Sequence, residues 1–384
     1  GGGSAGGGSA GVDRAGLLAQ RLGYGRLATG GDANPVEVHV SNDHDSGPGS
    51  LRAAVTGSGP AWVVFDGNYT IHLTTAVAVG SNKTIDGRGR RVVITTGGRG
   101  SKSQVSALVL DGVTNVIIEN LILAGVGDPF LTGNNNPADG ISVTGSSRVW
   151  VDHCEFSETG DKGLGVQAGS TDVTVSWNHF HDQEQNFQVG AQASADAGDE
   201  LQNVTVHHNH FDPISQLPYD AGDPLFMSTG YRHPALSHGR VHSFNNVDRW
   251  WSAFAVRSER SGRMFLENNI FEASDAGSSI VAKHRPQGVS ESGPPPGTDC
   301  SPGQACVAPY KNICGCNDAC TRCDPSPGFI LAKGNLLGNG ATLAENEPQV
   351  VVDQLVDAGD FYPYTPAPAN AALFNDVTAH AGWR

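Results

Sequence analysis

The chain has 384 residues, with 39 Asp and Glu against 24 Lys and Arg, a formal net charge of −15. A chain this acidic lacks the basic footprint that generic nucleic-acid binding needs, so no nucleic-acid partner is expected. Two readings of the charge stay open: a surface that only keeps the protein in solution, or a polyanionic ligand held by a few groove cations or a metal ion.

Residues 1–11, GGGSAGGGSAG, read as a flexible tether. Such a stretch suits an expression linker, or what remains after export, including the spacer behind the lipidated Cys of a bacterial lipoprotein. No signal peptide is expected, and no run approaches the roughly 18 apolar residues of a membrane helix. The division read from the sequence is a linker over 1–16 and one domain over 17–384. A short helix is predicted at Arg14–Leu22. Strand patterns follow at 36–40, 61–65 and up to Gly87, with a capping helix over Gly49–Val55 that would cover the open end of a stack of strands.

From there one phrase recurs: Val173-Thr-Val-Ser-Trp-Asn178-His-Phe180, Val204-Thr-Val-His-His-Asn209-His-Phe211, and Met264-Phe-Leu-Glu-Asn-Asn269-Ile-Phe271. Looser copies begin at 116, 149 and 241. Each is an alternating, β-branched run ending in an amide turn, which reads as a strand and a bend. The starts are 33, 24, 31, 37 and 23 residues apart. A floor in the low twenties with variable excess predicts a solenoid of stacked rungs, from about 61 to about 335, with loops bulging from one face. Its long groove suits a polymer. The amides are expected to form a ladder inside the bends, with Cys154 as a buried thiol in the same column. Neighbours among His207, His208 and His210 should point to opposite faces, which argues against a zinc site there. Trp250 and Trp251 read as cover for a hydrophobic edge, with stacking on sugar rings as the alternative.

Six of seven cysteines fall between Cys300 and Cys323, after a Pro/Gly-rich stretch. This predicts an insertion over 286–327 stapled by three disulfides in an exported protein, with 15 possible pairings. A zinc knot is the competing reading, but only one C-x2-C (Cys320, Cys323) is present. The tail, with a last helix near 367–382, should pack back on the stack.

Several stretches in order resemble polysaccharide lyase family 1, the pectate and pectin lyases. They are Gly23-Tyr-Gly25 with Thr29-Gly-Gly31, Gly47-Pro-Gly-Ser-Leu-Arg52, Lys83-Thr-Ile-Asp-Gly-Arg-Gly89, Asp139-Gly-Ile-Ser-Val143 with Val149-Trp-Val-Asp-His153, Arg232-His-Pro234 with Gly239-Arg-Val-His242 and Asn245-Asn246, and Tyr362-Pro-Tyr364. The resemblance covers about 17–384. It implies an all-β fold, a single-stranded right-handed parallel β-helix with short capping helices. It also implies an extracellular monomer, free or tethered at the cell surface, that cleaves pectate or another polyuronate by β-elimination.

In that reaction the C5 proton beside the C6 carboxylate is removed and the C4 oxygen expelled. A cation that neutralises the carboxylate makes the proton acidic enough. The resemblance implies that this cation is Ca²⁺, with Asp139 and Asp161 as its ligands. For Asp139 the plain alternative is an Asp capping a turn before Gly. The resemblance assigns Arg232 as the base, although a guanidinium is held protonated in proteins, so the role calls for high pH or is electrostatic; a structural salt bridge is the alternative. Arg257 is implied as a fork for a substrate carboxylate, and Gln185 as a substrate-binding residue where the family has Lys. Two further departures are Gly165, where a third carboxylate is usual, and Ser237, where a second arginine is usual. His153 and His181 fit positions that are structural or functional. Metal-independent cleavage of methylated pectin and a non-catalytic carbohydrate-binding or adhesion β-helix are the rival readings. A glycoside hydrolase would need a close carboxylate pair in the groove.

Overall fold

The structure is a computed structural model and describes residues 12–129, 137–190, 201–213, 230–260, 262–274, 279–284, 328–343 and 362–384. Among these, every strand pairs in parallel, in three sheets of ten, eight and nine strands in which successive rungs are neighbours. The chain is a right-handed parallel β-helix. In the ten-stranded sheet Val116, Val149, Val173, Val204, Val241 and Met264 stand in one register row. These are the six starts of the repeated phrase, so the sequence period is the rung period. Stacking begins earlier than expected, because Glu37–Val40 already pairs with Ala61–Phe65.

Alternation explains the core. Ile141, Leu164 and Phe187 align, as do Val143, Val166, Val189 and Leu236, and all are buried in one apolar cluster. In the nine-stranded sheet Phe156, Phe180 and Phe211 share one register row and stack with ring centroids 4.7 and 4.9 Å apart, contacts worth about 0.5–1.5 kcal/mol per pair beyond area burial. The amide ladder runs Asn178, Asn209, Asn246, Asn269, Asn335, each side-chain NH₂ donating to the next Oδ1 at 2.9–3.1 Å. Cys154 continues the column as a buried free thiol, its N–H donating to Asn178 Oδ1.

Helix α1 (Arg14–Ala19) is N-capped by Asp13, so ordered structure starts within the stretch expected to be linker. Helix α2 (Leu51–Val55) is capped by Ser50 and packs over the first rungs. Helix α3 (Ala371–His380) is capped by Asn370 and lies on Val247 and Ile270. Tyr362 is buried, its hydroxyl meeting Thr205 Oγ1 at 2.9 Å and His242 Nδ1 at 2.6 Å, which ties the tail to the stack as expected. Trp251 sits in the core, while Trp250 lies under the Arg249 guanidinium at 4.6 Å. No helix among the described residues is long and apolar enough to cross a membrane. The Cys-rich insertion over 286–327 and residues 1–11 lie outside the described residues.

Candidate active site

Every expected site residue falls on the eight-stranded sheet or in the segments that lead into its strands. Asp139 precedes the strand Ile141–Thr144, in which Ile141 pairs with Leu164. Gly140 lets this segment press onto the next rung, because a Cβ there would meet Gly163 O at 2.5 Å. Asp161 and Lys162 open the next rung, Lys162–Gln167. Lys162 aligns with Gln185, and Gln185 with Tyr231, the neighbour of Arg232. Two rungs, roughly 10 Å along the axis, thus separate Asp161 from Arg232. Farther on, Gly165, Gln188, Ala235 and Arg257 share one outward-facing row.

Asp139 is 5% exposed. Its Oδ1 accepts from Lys162 N–H at 3.2 Å and lies 3.1 Å from Lys162 Nζ. The same ammonium bonds Asp161 Oδ2. One buried cation therefore bridges the two carboxylates expected to hold Ca²⁺. Burial raises the Asp139 carboxyl, to about 6, against the opposing pull of Lys162. Burial alone would lower the Lys162 ammonium, but Asp139 and Asp161 outweigh it and hold it above its ordinary value.

As arranged, the pair is not a calcium cage. Ca²⁺ takes six to eight oxygens, while here two carboxylates face an ammonium, and the rung carries glycine where a third acid would stand. A divalent ion on the same oxygens would face Lys162 Nζ within roughly 4 Å, a strong like-charge repulsion in a buried site. The calcium expectation for Asp139 and Asp161 meets this physical obstacle. Lys162 itself was missed. The signal was there: a lone charge directly after Asp161, at the mouth of an otherwise uncharged run.

Arg232 is 8% exposed and in the left-handed region, φ +71°, with its guanidinium 5.2 Å from the Tyr231 ring centroid. Glu184 lies near it; burial raises the Glu184 carboxyl while Arg232 pulls it down. Arg257 lies 5.1 Å from the Phe254 ring centroid, with its Nε 3.4 Å from Glu259 Oε2. Ser237, at the position where an arginine was expected, donates its hydroxyl to Glu259 Oε1 at 2.7 Å. Gln185 is half-buried.

The histidines singled out in the sequence lie against neighbouring side chains. His181 bonds Asp182 Oδ2 at 2.7 Å, and burial, which alone would lower it, is outweighed by Asp182 and Glu155, so it rises to about 9. His153 bonds Asp152 Oδ2 at 2.7 Å and stacks on Trp177. His207 and His208 depart from the expected alternation, their Nδ1 atoms lying 2.9 Å apart. His208 has φ +54° at the bend, which swings its ring back towards its neighbour. The only group of three or more among the described residues whose donor atoms gather as metal ligands would is Glu119 and Asp152, at the ends of neighbouring strands of the ten-stranded sheet, with His153 just past the second.

A family model described as pectate lyase matches residues 49–301. Relatives include a probable pectate lyase P56 of Solanum lycopersicum, 32% identical over 273 residues (68% of this chain, 64% of that protein). A probable pectate lyase 4 of Arabidopsis thaliana is 31% identical over 272 residues (70% and 67%). The chain spans between 54% and 67% of the length of such relatives. Two solved structures share the fold. The major allergen from cedar pollen has a TM-score of 0.69 at 22% identity, covering 97% of this chain and 95% of that one. A pectate lyase from Bacillus sp. N165, solved in complex with trigalacturonate, has a TM-score of 0.56 at 20% identity, covering 94% and 98%. By its family match and these identities, this chain belongs to the pectate lyase family.

Proposed function

We propose that this chain is an exported polysaccharide lyase, acting as a monomer, that cleaves a pectin-type polyuronate by β-elimination. The observation that carries the reading is a set of three cations, Lys162, Arg232 and Arg257, carried on different rungs in or leading into strands of the eight-stranded sheet, where successive rungs can meet successive residues of a polymer. In the reaction the C5–H bond breaks and its proton passes to a base, the C4–C5 double bond forms, and the electron pair of the C4–O bond leaves with the glycosidic oxygen. Arg232 is assigned to the C5 proton, Arg257 to a substrate carboxylate, and Gln185, between the Lys162 and Tyr231 rungs, to a substrate hydroxyl or carboxylate. A cation at Asp139 and Asp161 has to offset the charge that develops on the C6 carboxylate. Calcium was the expected cation, and Lys162 Nζ already lies against both of these carboxylates.

Incubation with polygalacturonate and with methylated pectin, from neutral to alkaline pH, should generate the ultraviolet absorbance of an unsaturated product. No absorbance on either polymer sinks the enzyme and leaves the non-catalytic carbohydrate-binding β-helix. Between the two polymers a specific feature favours the methylated one as a second reading. Asp139, Asp161, Glu184 and Glu259 at least match the site's cations, which lowers the pull on a fully ionised chain.

A further inference from the structure

We propose that the Lys162 ammonium replaces a metal ion in this chain, serving as the resident cation that neutralises the substrate carboxylate, so that the site is built to work without a divalent metal. The inference deepens the lyase reading above and rests on it for the word substrate, but its core claim concerns a cation site and stands on two observations independent of turnover.

The first is occupancy. Lys162 Nζ lies 3.1 Å from Asp139 Oδ1 and bonds Asp161 Oδ2, and its side chain is only 9% exposed. The ammonium is locked between the two acids. It has three donors, of which these acids take two, leaving the third for an incoming oxygen anion.

The second is Gly165. A Cβ built there would lie 3.0 Å from Asp139 Oδ2 and 3.2 Å from Lys162 Cε. A carboxylate-bearing side chain at 165 would press on the end of the lysine stem and set a third negative charge beside Asp139, so these side chains would have to shift by a few tenths of an ångström. The glycine leaves room for the lysine to lie between the two acids. A metal cage would need the reverse pair: an acid at 165 and a short side chain at 162. Ligand number agrees with packing, because a divalent ion would need more oxygens than this pair offers.

The test uses the full chain and calcium alone as probe. Isothermal titration calorimetry should detect no 1:1 Ca²⁺ binding to the wild type up to millimolar concentration. The variants K162S and K162S/G165D, checked for folding by circular dichroism, should gain binding, the double variant at least tenfold tighter than the single one. In parallel, cleavage by the wild type should be unchanged by EDTA, and K162R should keep chelator-resistant cleavage while K162S loses at least a hundredfold. Saturable 1:1 Ca²⁺ binding by the wild type at submillimolar concentration overturns the proposal, and so does loss of cleavage in EDTA that Ca²⁺ restores. If neither polymer is cleaved under any condition, the lyase reading fails, while the calorimetry still decides whether lysine has displaced a metal.

Discussion

Replacing Asn209 with Ala should destabilise the stack by about 4 kcal/mol. Asn209 is fully buried in the amide ladder. Its Oδ1 accepts from both the backbone and side-chain nitrogens of Asn178 at 3.0 Å. Its NH₂ donates to Val175 O at 2.9 Å, His207 O at 3.1 Å and Asn246 Oδ1 at 2.9 Å. Alanine strands the Asn178 N–H inside the bend, at roughly 1–3 kcal/mol, and removes several further bonds at a net of about 0.5–1.5 kcal/mol each. Relief is partial, because Asn178 Nδ2 still donates to Val151 O and Asn246 Oδ1 still accepts from the 209 backbone. Cys154 supplies the control in the same column. Its Sγ makes only long contacts with carbonyls, 3.4 Å to Asp152 and 3.9 Å to Ile118, so Cys154→Ala should cost about 1 kcal/mol, as for a small apolar group. Urea unfolding followed by circular dichroism reads both, and Asn209→Ala should lower the midpoint by about 1 M or more. Equal midpoints for the two variants would refute the claim that the ladder holds adjacent rungs together.

Arg232→Ala should abolish unsaturated product while polymer binding, read by affinity electrophoresis, persists; if turnover survives, Arg232 has no part in the proton step. Glu259→Gln should strengthen binding of polygalacturonate several-fold, since it removes the negative partner beside Arg257; weaker binding would assign Glu259 to substrate instead. Acid should destabilise the fold between pH 6.5 and 3. Burial holds His208 at about 4 and, with Arg249 adding to it, His210 at about 3. A histidine depressed in the folded state contributes stability that is present above 6.5 and lost as pH falls through its folded value. His181, raised to about 9, acts in the opposite sense: its contribution is full below 6.5 and lost as pH rises through 9. Thermal midpoints across pH 3–10 check both arms, and a flat acid limb would refute the neutral-histidine account.

The sequence by itself determined a solenoid of stacked strand rungs, its rung starts and its amide column. Alternation of period two and a recurring Asn at the bend are local patterns, and stacking in register only repeats them, so Val116 through Met264 align from the sequence alone. It also located the rungs whose mouths carry Asp139, Asp161 and Arg232. Only the tertiary structure decided what those groups face. Whether Lys162 points to solvent or between two acids depends on how one rung sits over the next, and the space beside Gly165 is taken by Asp139 and a lysine stem three residues away. The contact of His207 with His208 likewise hangs on one left-handed residue at a bend. Side-chain partners across a solenoid are fixed by rung offset and bend geometry, which no window along the chain contains.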